Sequence, residues 1–428
     1  GRSGGGSAAV RRDAGAGLEA CPGCGLHAPD MRKHMKRCCP EKLPGKLAGP
    51  RSEERQAERR TAAGDESWIS EEEVFEAAMR SVDAIEDPFL RRVLHLRFGL
   101  DRVEAAADGS HSLKDVESRR RTPAEVAEAL GGKYKGKPEA ALNHIRNALR
   151  SIPLVADDPT DLKVLYEDDE LLAVAKPPFL RSTPVHRFVG KSLTNQLVGY
   201  TLQQAVAKSA AAAEGSRPSR APRPEPPLLL HRLDQPTSGV VLCAKTKAAA
   251  SIMQECWHGP LCRKEYLALA TPGPHAQLRA AGDVTVVRAP IGADVASDDP
   301  VRRAVNFEEG QSAATRLEVL ACSPANGAGS QFILLSCVLE ESGRTHQIRV
   351  HASHVGLPLV GDGMYGGLTS ADPEAPVSAI VPGRVALHAW RLRVPHPTTK
   401  EELLIEAPLP ADLASCLEAC NIEWPPPP

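Results

Sequence analysis

No stretch of about 18 consecutive apolar residues occurs in the chain, which excludes a conventional membrane-spanning helix, so no membrane is expected among its partners. A global basic field is also missing. The 52 Lys and Arg stand against 54 Asp and Glu, a net charge of −2, so any affinity for a polyanion has to come from local patches. There is no disulfide framework either. The 11 cysteines are odd in number and scattered after residue 39, and a chain this long buries enough apolar surface to need no covalent staples, so a reducing compartment is expected. No internal repeat is found. What remains is ordinary globular material, 42% hydrophobic and 25% charged over 428 residues, enough for about two to four domains.

Residues 1–18 open on "GRSGGGSAAVRRDAGAG", which reads either as the remnant of a plastid or mitochondrial transit peptide or as a tail without fixed structure. A Gly at position 1 points to a processed or truncated chain; plastid or mitochondrion is the expected location, with cytoplasm and nucleus open. A Cys/His module is expected over 19–42, a charged linker with few apolar residues over 43–66, and an all-helical unit over 67–153, with helices at 88–98, 123–130 and 138–150. From 154 to 428 the pattern changes to short apolar runs of period two, such as "LLAVAKP", "GVVLCAKT", "KEYLALA" and "SQFILLSCVLE", with helices only at 192–208 and 246–257. This predicts one α+β domain with a mixed, mostly antiparallel sheet. The segments at 207–227 and 369–383 are low-complexity insertions without core-forming capacity.

Cys21-Pro-Gly-Cys24 forms a knuckle, and His34 and Cys38 follow at the spacing of one helical turn, with Cys39 as an alternative to Cys38. Four such ligands suit tetrahedral zinc, and a module this small has no core without the metal. Free thiols beside an unstructured end are the plainer reading; the spacing favours a structural zinc. Arg32, Lys33, Lys36 and Arg37 on the same segment face either phosphate or solvent. The helical unit has the order of a helix-turn-helix, and through "LRFGL" and the helices after it resembles region four of bacterial-type sigma factors. That resemblance implies a nucleic-acid-binding accessory; three-helix packing with no ligand is the alternative.

The strand-like runs at 228–246 are interrupted by "HRLDQPTSG". Asp234, Pro236 and Gly239 are all turn residues, so a plain turn explains the stretch by itself. A second explanation needs "RKEYLALA", with Lys264 and Tyr266, and "SGRTHQIRVHASHVGLPLVGDGMYGG", with Arg344, Thr345, His346, Gln347, Arg349 and His351. Polar side chains at that density are costly to bury unless they pair with one another or with a ligand.

Together, in this order over about 270 residues, the three motifs resemble the RluA-type family of RNA pseudouridine synthases. The resemblance implies isomerisation of uridine in a structured ribosomal or transfer RNA, by a monomeric enzyme needing no cofactor for catalysis. Asp234 matches the catalytic Asp, attacking either the ribose or the ring. Arg344 matches the cation that keeps it ionised, and Tyr266 matches the aromatic stacked on the target base. Arg232 matches the residue that fills the gap left by the flipped uridine, and Leu233 and Ile348 match apolar pocket walls. His231, Lys264 and Arg349 complete the expected RNA-binding set, while Thr237, Ser238 and His346, and partly His231, are read as supports rather than chemistry. After the Lys-Pro at 176–177, Phe179 or Leu180 occupies the place of a Gly usual in that family, and no S4-type RNA-binding domain precedes the catalytic part. The competing expectations are a non-catalytic RNA-binding or ribosome-assembly protein on the same fold, and a DNA-binding role resting on the helical unit alone.

Overall fold

The computed structural model describes residues 77, 80–100, 121–187, 189–212, 226–297, 299–324, 332–341, 343–369 and 383–425. The tail at 1–18, the cluster of Cys21, Cys24, His34 and Cys38, and the linker at 43–66 lie outside the described residues, as do most of the segments at 207–227 and 369–383. The described residues fall into two units, one ending at Pro153 and the other beginning at Leu154.

In the first unit α1 (Pro88–Phe98), α2 (Pro123–Leu130) and α3 (Pro138–Ser151) each carry proline in the first turn, where its missing N–H costs nothing. Asp87 caps α1 by accepting from the N–H groups of Phe89 and Leu90 at 2.8 and 3.1 Å. Gly99 ends it at φ 70°, a left-handed stop that glycine takes without a Cβ clash. Thr122 and Glu125 form a reciprocal capping box on α2. Val93 and Leu94, Val126, and Ile145, one set from each helix, are buried, so the amphipathic pattern folds into a three-helix core.

The second unit starts with the hairpin β1 (Lys163–Glu167) and β2 (Leu171–Lys176), then α4 (Leu193–Ala212), the short β3 (Leu228–Leu229), β4 (Ser238–Ala244), α5 (Lys247–Cys256) and β5 (Arg263–Ala270). There follow β6 (Val284–Arg288), the pair β7 (Ile291–Ala293) and β8 (Arg303–Val305), β9 (Ala314–Cys322) and β10 (Ile333–Glu341). Last come α6 (Gln347–His354), β11 (Leu387–Pro395), β12 (Glu402–Glu406) and α7 (Ala411–Ala419). Ten strands form one sheet in the order β1-β2-β4-β11-β5-β10-β9-β6, with β3 on β4 and β12 on β11. Among the described strands only β4 and β11 pair in parallel, at Ser238 with His388 and Gly239 with Ala389. The fold is therefore α+β with a mixed, mostly antiparallel sheet.

Strand alternation sorts the core. Val241 and Cys243 of β4, Leu172 and Val174 of β2, and Tyr266 and Ala268 of β5 share one cluster. The intervening Val240, Leu242, Leu171 and Ala173 pack on Met253 at the opposite face. A fully buried aliphatic side chain contributes about 1.5–3 kcal/mol. Coverage of both faces is why "LLAVAK" and "SGVVLCA" are unbroken apolar runs.

Three expectations are corrected. α4 runs on to Ala212, into the segment read as an insertion from 207, because "AKSAAA" is rich in the strongest helix former. Two helices stand where none was expected: α6, in the polar span after Arg344, and α7, after β12. Gly239 is not a turn residue: it lies inside β4 at φ 121°, where a Cβ would stand 2.1 Å from the Ala389 carbonyl oxygen. Glycine is required there by the close approach of β11. Where the usual Gly is replaced, Phe179 adopts φ 65°, the left-handed conformation that glycine takes at no cost and that charges other residues roughly 1–2 kcal/mol.

Candidate active site

Asp234 stands on the loop between β3 and β4, and the backbone on both sides of it is held by buried polar side chains. Ser182 Oγ donates to the Leu233 carbonyl at 2.7 Å and accepts from the Leu233 N–H at 3.0 Å. Lys176 Nζ donates to the carbonyl of Gln235 at 3.1 Å, as well as to those of Pro177 at 2.9 Å and Leu180 at 2.7 Å. Arg384 donates to the Pro236 carbonyl at 3.1 Å while paired through two hydrogen bonds to Asp412, at 2.6 and 3.0 Å. The turn itself closes through Thr237 N–H to the Asp234 carbonyl at 3.1 Å. Burial, with Arg384 adding to it, pushes Lys176 down from 10.5 to about 7. A loop tied at three successive places around one acid is a preorganised mount.

The second contribution comes from α6. His346 caps it in the left-handed region at φ 59°, which turns the first helical residues toward the Asp234 loop. Arg349 Nε and Nη2 each donate to Asp362 at 2.7 Å, and Arg349 and Asp362 are both buried. Against the burial that disfavours its charge, these bonds raise the Arg349 pKa and hold the guanidinium cationic. Its Nη1 lies 3.9 Å from Asp234 Oδ2. His346 Nε2 lies 3.8 Å from the same oxygen. Burial, followed by the nearby Arg349 charge, lowers His346 below its ordinary value, so it faces the acid as a neutral imidazole. Tyr365 hydroxyl accepts from the Arg303 N–H at 2.9 Å and shares a 2.8 Å hydrogen bond with His346 Nδ1, which fixes the orientation of the imidazole ring.

These distances exceed hydrogen-bond length. Asp234 is therefore oriented by a cation without being consumed by it: at an effective dielectric near 20 the attraction across such a gap is about 4 kcal/mol. The carboxylate, 21% exposed, opens into a cavity of about 300 Å³. Tyr266, Leu233, Ile348 and Leu387 form apolar wall, Arg232 and Arg344 stand exposed along it, and Lys264, Trp257, His231 and His258 also line it. Burial, then the charge of Asp234, raises the Tyr266 pKa well above its ordinary value, so the ring is present as a phenol. His231 Nε2 accepts from the Leu242 N–H at 3.0 Å, and burial pushes the ring down to about 3, so it too is neutral.

The expected pairing of Arg344 with Asp234 is replaced by Arg349. Arg344 precedes α6; its N–H donates to Gln347 Oε1 at 2.9 Å and its Nε to the Ser312 carbonyl at 3.3 Å, which keeps the guanidinium at the exposed rim. Arg349, a member of the expected RNA-binding set, lines the cavity while buried against Asp362. Ser238 bonds His388 Nδ1 at 2.9 Å, behind the cavity wall. Lys176, Ser182, Arg384, Asp362 and Tyr365 escaped sequence reasoning as site residues. Only the "GDGMY" run and the Lys-Pro at 176–177 signalled any of them; Ser182 and Arg384 carried no local sign.

Comparison with known proteins gives one consistent result. The sequence profile described as RNA pseudouridylate synthase matches residues 170–354. Ribosomal large subunit pseudouridine synthase D of Nitrosomonas europaea is 35% identical over 260 residues, covering 60% of this chain and 65% of that protein. The RNA pseudouridine synthase YjbO of Bacillus subtilis is 31% identical over 62% of this chain and 78% of its own length. Ribosomal large subunit pseudouridine synthase C of Escherichia coli is 31% identical, with 60% and 69% covered. Among solved structures, Human RNA Pseudouridylate Synthase Domain Containing 4 aligns with a TM-score of 0.44 at 24% identity, covering 61% of this chain and 94% of that one.

Proposed function

Because the chain belongs to the RNA pseudouridylate synthase family, we propose that it converts uridine to pseudouridine in ribosomal RNA, with Asp234 as the catalytic carboxylate. The observation that carries this reading is the composition of the cavity lining. Among the described residues Asp234 is its only carboxylate, against the cations Arg232, Lys264, Arg344 and Arg349, a balance suited to a polyanionic strand that must deliver one nucleotide to one acid.

The reaction is an isomerisation. The N1–C1′ bond breaks, the uracil turns, the C5–C1′ bond forms, and the C5 proton is exchanged for one on N1, so atoms and electrons balance without a redox partner or co-substrate. Asp234 faces the nucleotide where its glycosidic bond is exchanged, and the Arg349 cation, with His346 beside it, orients the carboxylate. Tyr266, as a phenol, supplies a flat face for the base and a hydroxyl at the cavity wall. Arg232 and Arg344, exposed on the rim, are placed to meet the strand from which the uridine is drawn.

Ribosomal RNA as substrate is supported by the names of the relatives from Nitrosomonas and Escherichia, and an organelle by the Gly/Ala/Arg-rich start of the chain. Zinc held by Cys21, Cys24, His34 and Cys38, and nucleic-acid contact by the helical unit, remain part of the proposal on the strength of ligand spacing and of the exposed Lys133, Lys135 and Lys137 on the turn before α3. The test is pseudouridine mapping of cytosolic and organellar RNA from cells with the chain, without it, and with Asp234→Asn. Sites present only with the unaltered chain are expected. An unchanged map in every compartment, or full restoration by Asp234→Asn, refutes the reading.

A further inference from the structure

The cavity lining holds a buried cation, Lys264, that the chemistry at Asp234 does not use. Lys264 lies two residues before Tyr266 on β5, and side chains at i and i+2 share a strand face about 7 Å apart; both line the cavity. Lys264 is 8% exposed. An ammonium buried to that degree is normally matched by a carboxylate. Here, among the described residues, no ion pair reaches it. Its one hydrogen bond runs to the Trp257 carbonyl at 3.3 Å, and Nζ sits over the Trp257 ring, 4.4 Å from the centroid.

The surrounding groups offer no anion. Burial pushes the neighbouring Cys262 thiol up to about 11, so it stays protonated, and His231, whose ring lies 5.1 Å from that of Trp257, is neutral. Trp257 caps the C-terminus of α5, whose carbonyl dipoles offset part of the charge. That offset and the ring contact explain how the ammonium tolerates burial. They do not use the donors it has left, on a side chain that lines a cavity.

We infer that Lys264, seated on Trp257, is a phosphate-binding subsite that takes a backbone phosphodiester of the RNA strand beside the nucleotide presented to Asp234. This rests on the proposed reaction for the identity of the strand and goes beyond it in naming the group bound. A strand-borne cation one pleat from Tyr266 sets the distance between phosphate and base, so it selects a nucleotide in a chain over a free nucleoside. Lys264 contributes through binding and positioning, not through the bond exchange.

The full chain is titrated with a cytidine 11-mer carrying one central uridine, and separately with uridine, over a series of KCl concentrations. Lys264→Met keeps the stem over Trp257 and removes the charge; Lys264→Arg keeps the charge. Lys264→Met is expected to weaken the oligomer about tenfold and to make the slope of log K against log salt shallower by about 0.7, the contribution of one phosphate on a single strand. Uridine affinity should stay within about twofold, and Lys264→Arg should recover most of the oligomer affinity. Equal weakening of oligomer and uridine, or an unchanged slope, assigns Lys264 a structural role and overturns the inference. Should Lys264→Met unfold, neutral methylphosphonate linkages placed one at a time decide with the unaltered protein: one linkage beside the uridine must cost about tenfold, and no single sensitive linkage overturns the inference. Because these readouts are equilibrium binding, they fail independently of the isomerisation that the Asp234→Asn maps report.

Discussion

Asp362→Asn tests the geometry of the site most sharply, because it removes one charge and almost no volume. Asp362 accepts two 2.7 Å bonds from Arg349 at 1% exposure, and breaking a buried pair by removing one partner costs about 3–5 kcal/mol. The asparagine amide keeps one acceptor and turns an N–H₂ toward the guanidinium. Arg349 is then left with Asp234, 3.9 Å away, as its nearest anion, and closing that gap ties up the carboxylate that the cavity leaves open. Even about 1.4 kcal/mol added to the barrier is tenfold in rate. Denaturant unfolding should therefore show a loss of about 3–5 kcal/mol, and single-turnover pseudouridine formation, measured where the variant is folded, should fall about tenfold or more. Arg344→Ala is the control. That side chain is exposed, so unfolding should shift by no more than about 0.5 kcal/mol, with any loss appearing in RNA affinity. An Asp362→Asn protein within about 1 kcal/mol of the unaltered chain, or one with full single-turnover rate, removes Asp362 and Arg349 from the account.

Gly239→Ala should cost about 3 kcal/mol or more, because it adds a Cβ 2.1 Å from the Ala389 carbonyl oxygen at φ 121° where neither strand can yield; a thermal-unfolding loss below about 1 kcal/mol contradicts the close approach of β4 and β11. Lys176 predicts a pH dependence. Its pKa is 10.5 when unperturbed and about 7 in the fold, so between those values the unfolded chain holds more protons and stability rises with pH, by an amount on the order of a few kcal/mol. Lys176→Met should flatten that rise in chemical unfolding between pH 7 and 10 while loosening the Asp234 loop; an unchanged slope refutes the assignment.

Much of the fold was legible because it is written locally. Short, nearly continuous apolar runs mark β2, β4, β5 and β10, prolines and an Asp or Thr cap mark α1 and α2, and three motifs in order point to the reaction and to Asp234 and Tyr266. α6 was not legible as a helix: its eight residues carry polar groups on faces buried by contacts that occur only in the fold, so no apolar stripe announces it. The choice of cation shows the same limit. "RTHQIR" offers two arginines five positions apart, and spacing alone cannot say which one turns inward.

The sequence by itself determined most of the strands and helices, α6 and α7 excepted, and which acid and aromatic are presented, since propensity, capping and alternation act within a few residues. The tertiary structure alone decided that Arg349 rather than Arg344 faces Asp234, that Asp362 holds it there, that Lys176, Ser182 and Arg384 clamp the loop, and that Lys264 is buried with no carboxylate paired to it among the described residues. Each of these depends on groups brought together from distant parts of the chain, where burial makes one hydrogen-bond partner or its absence count for kilocalories.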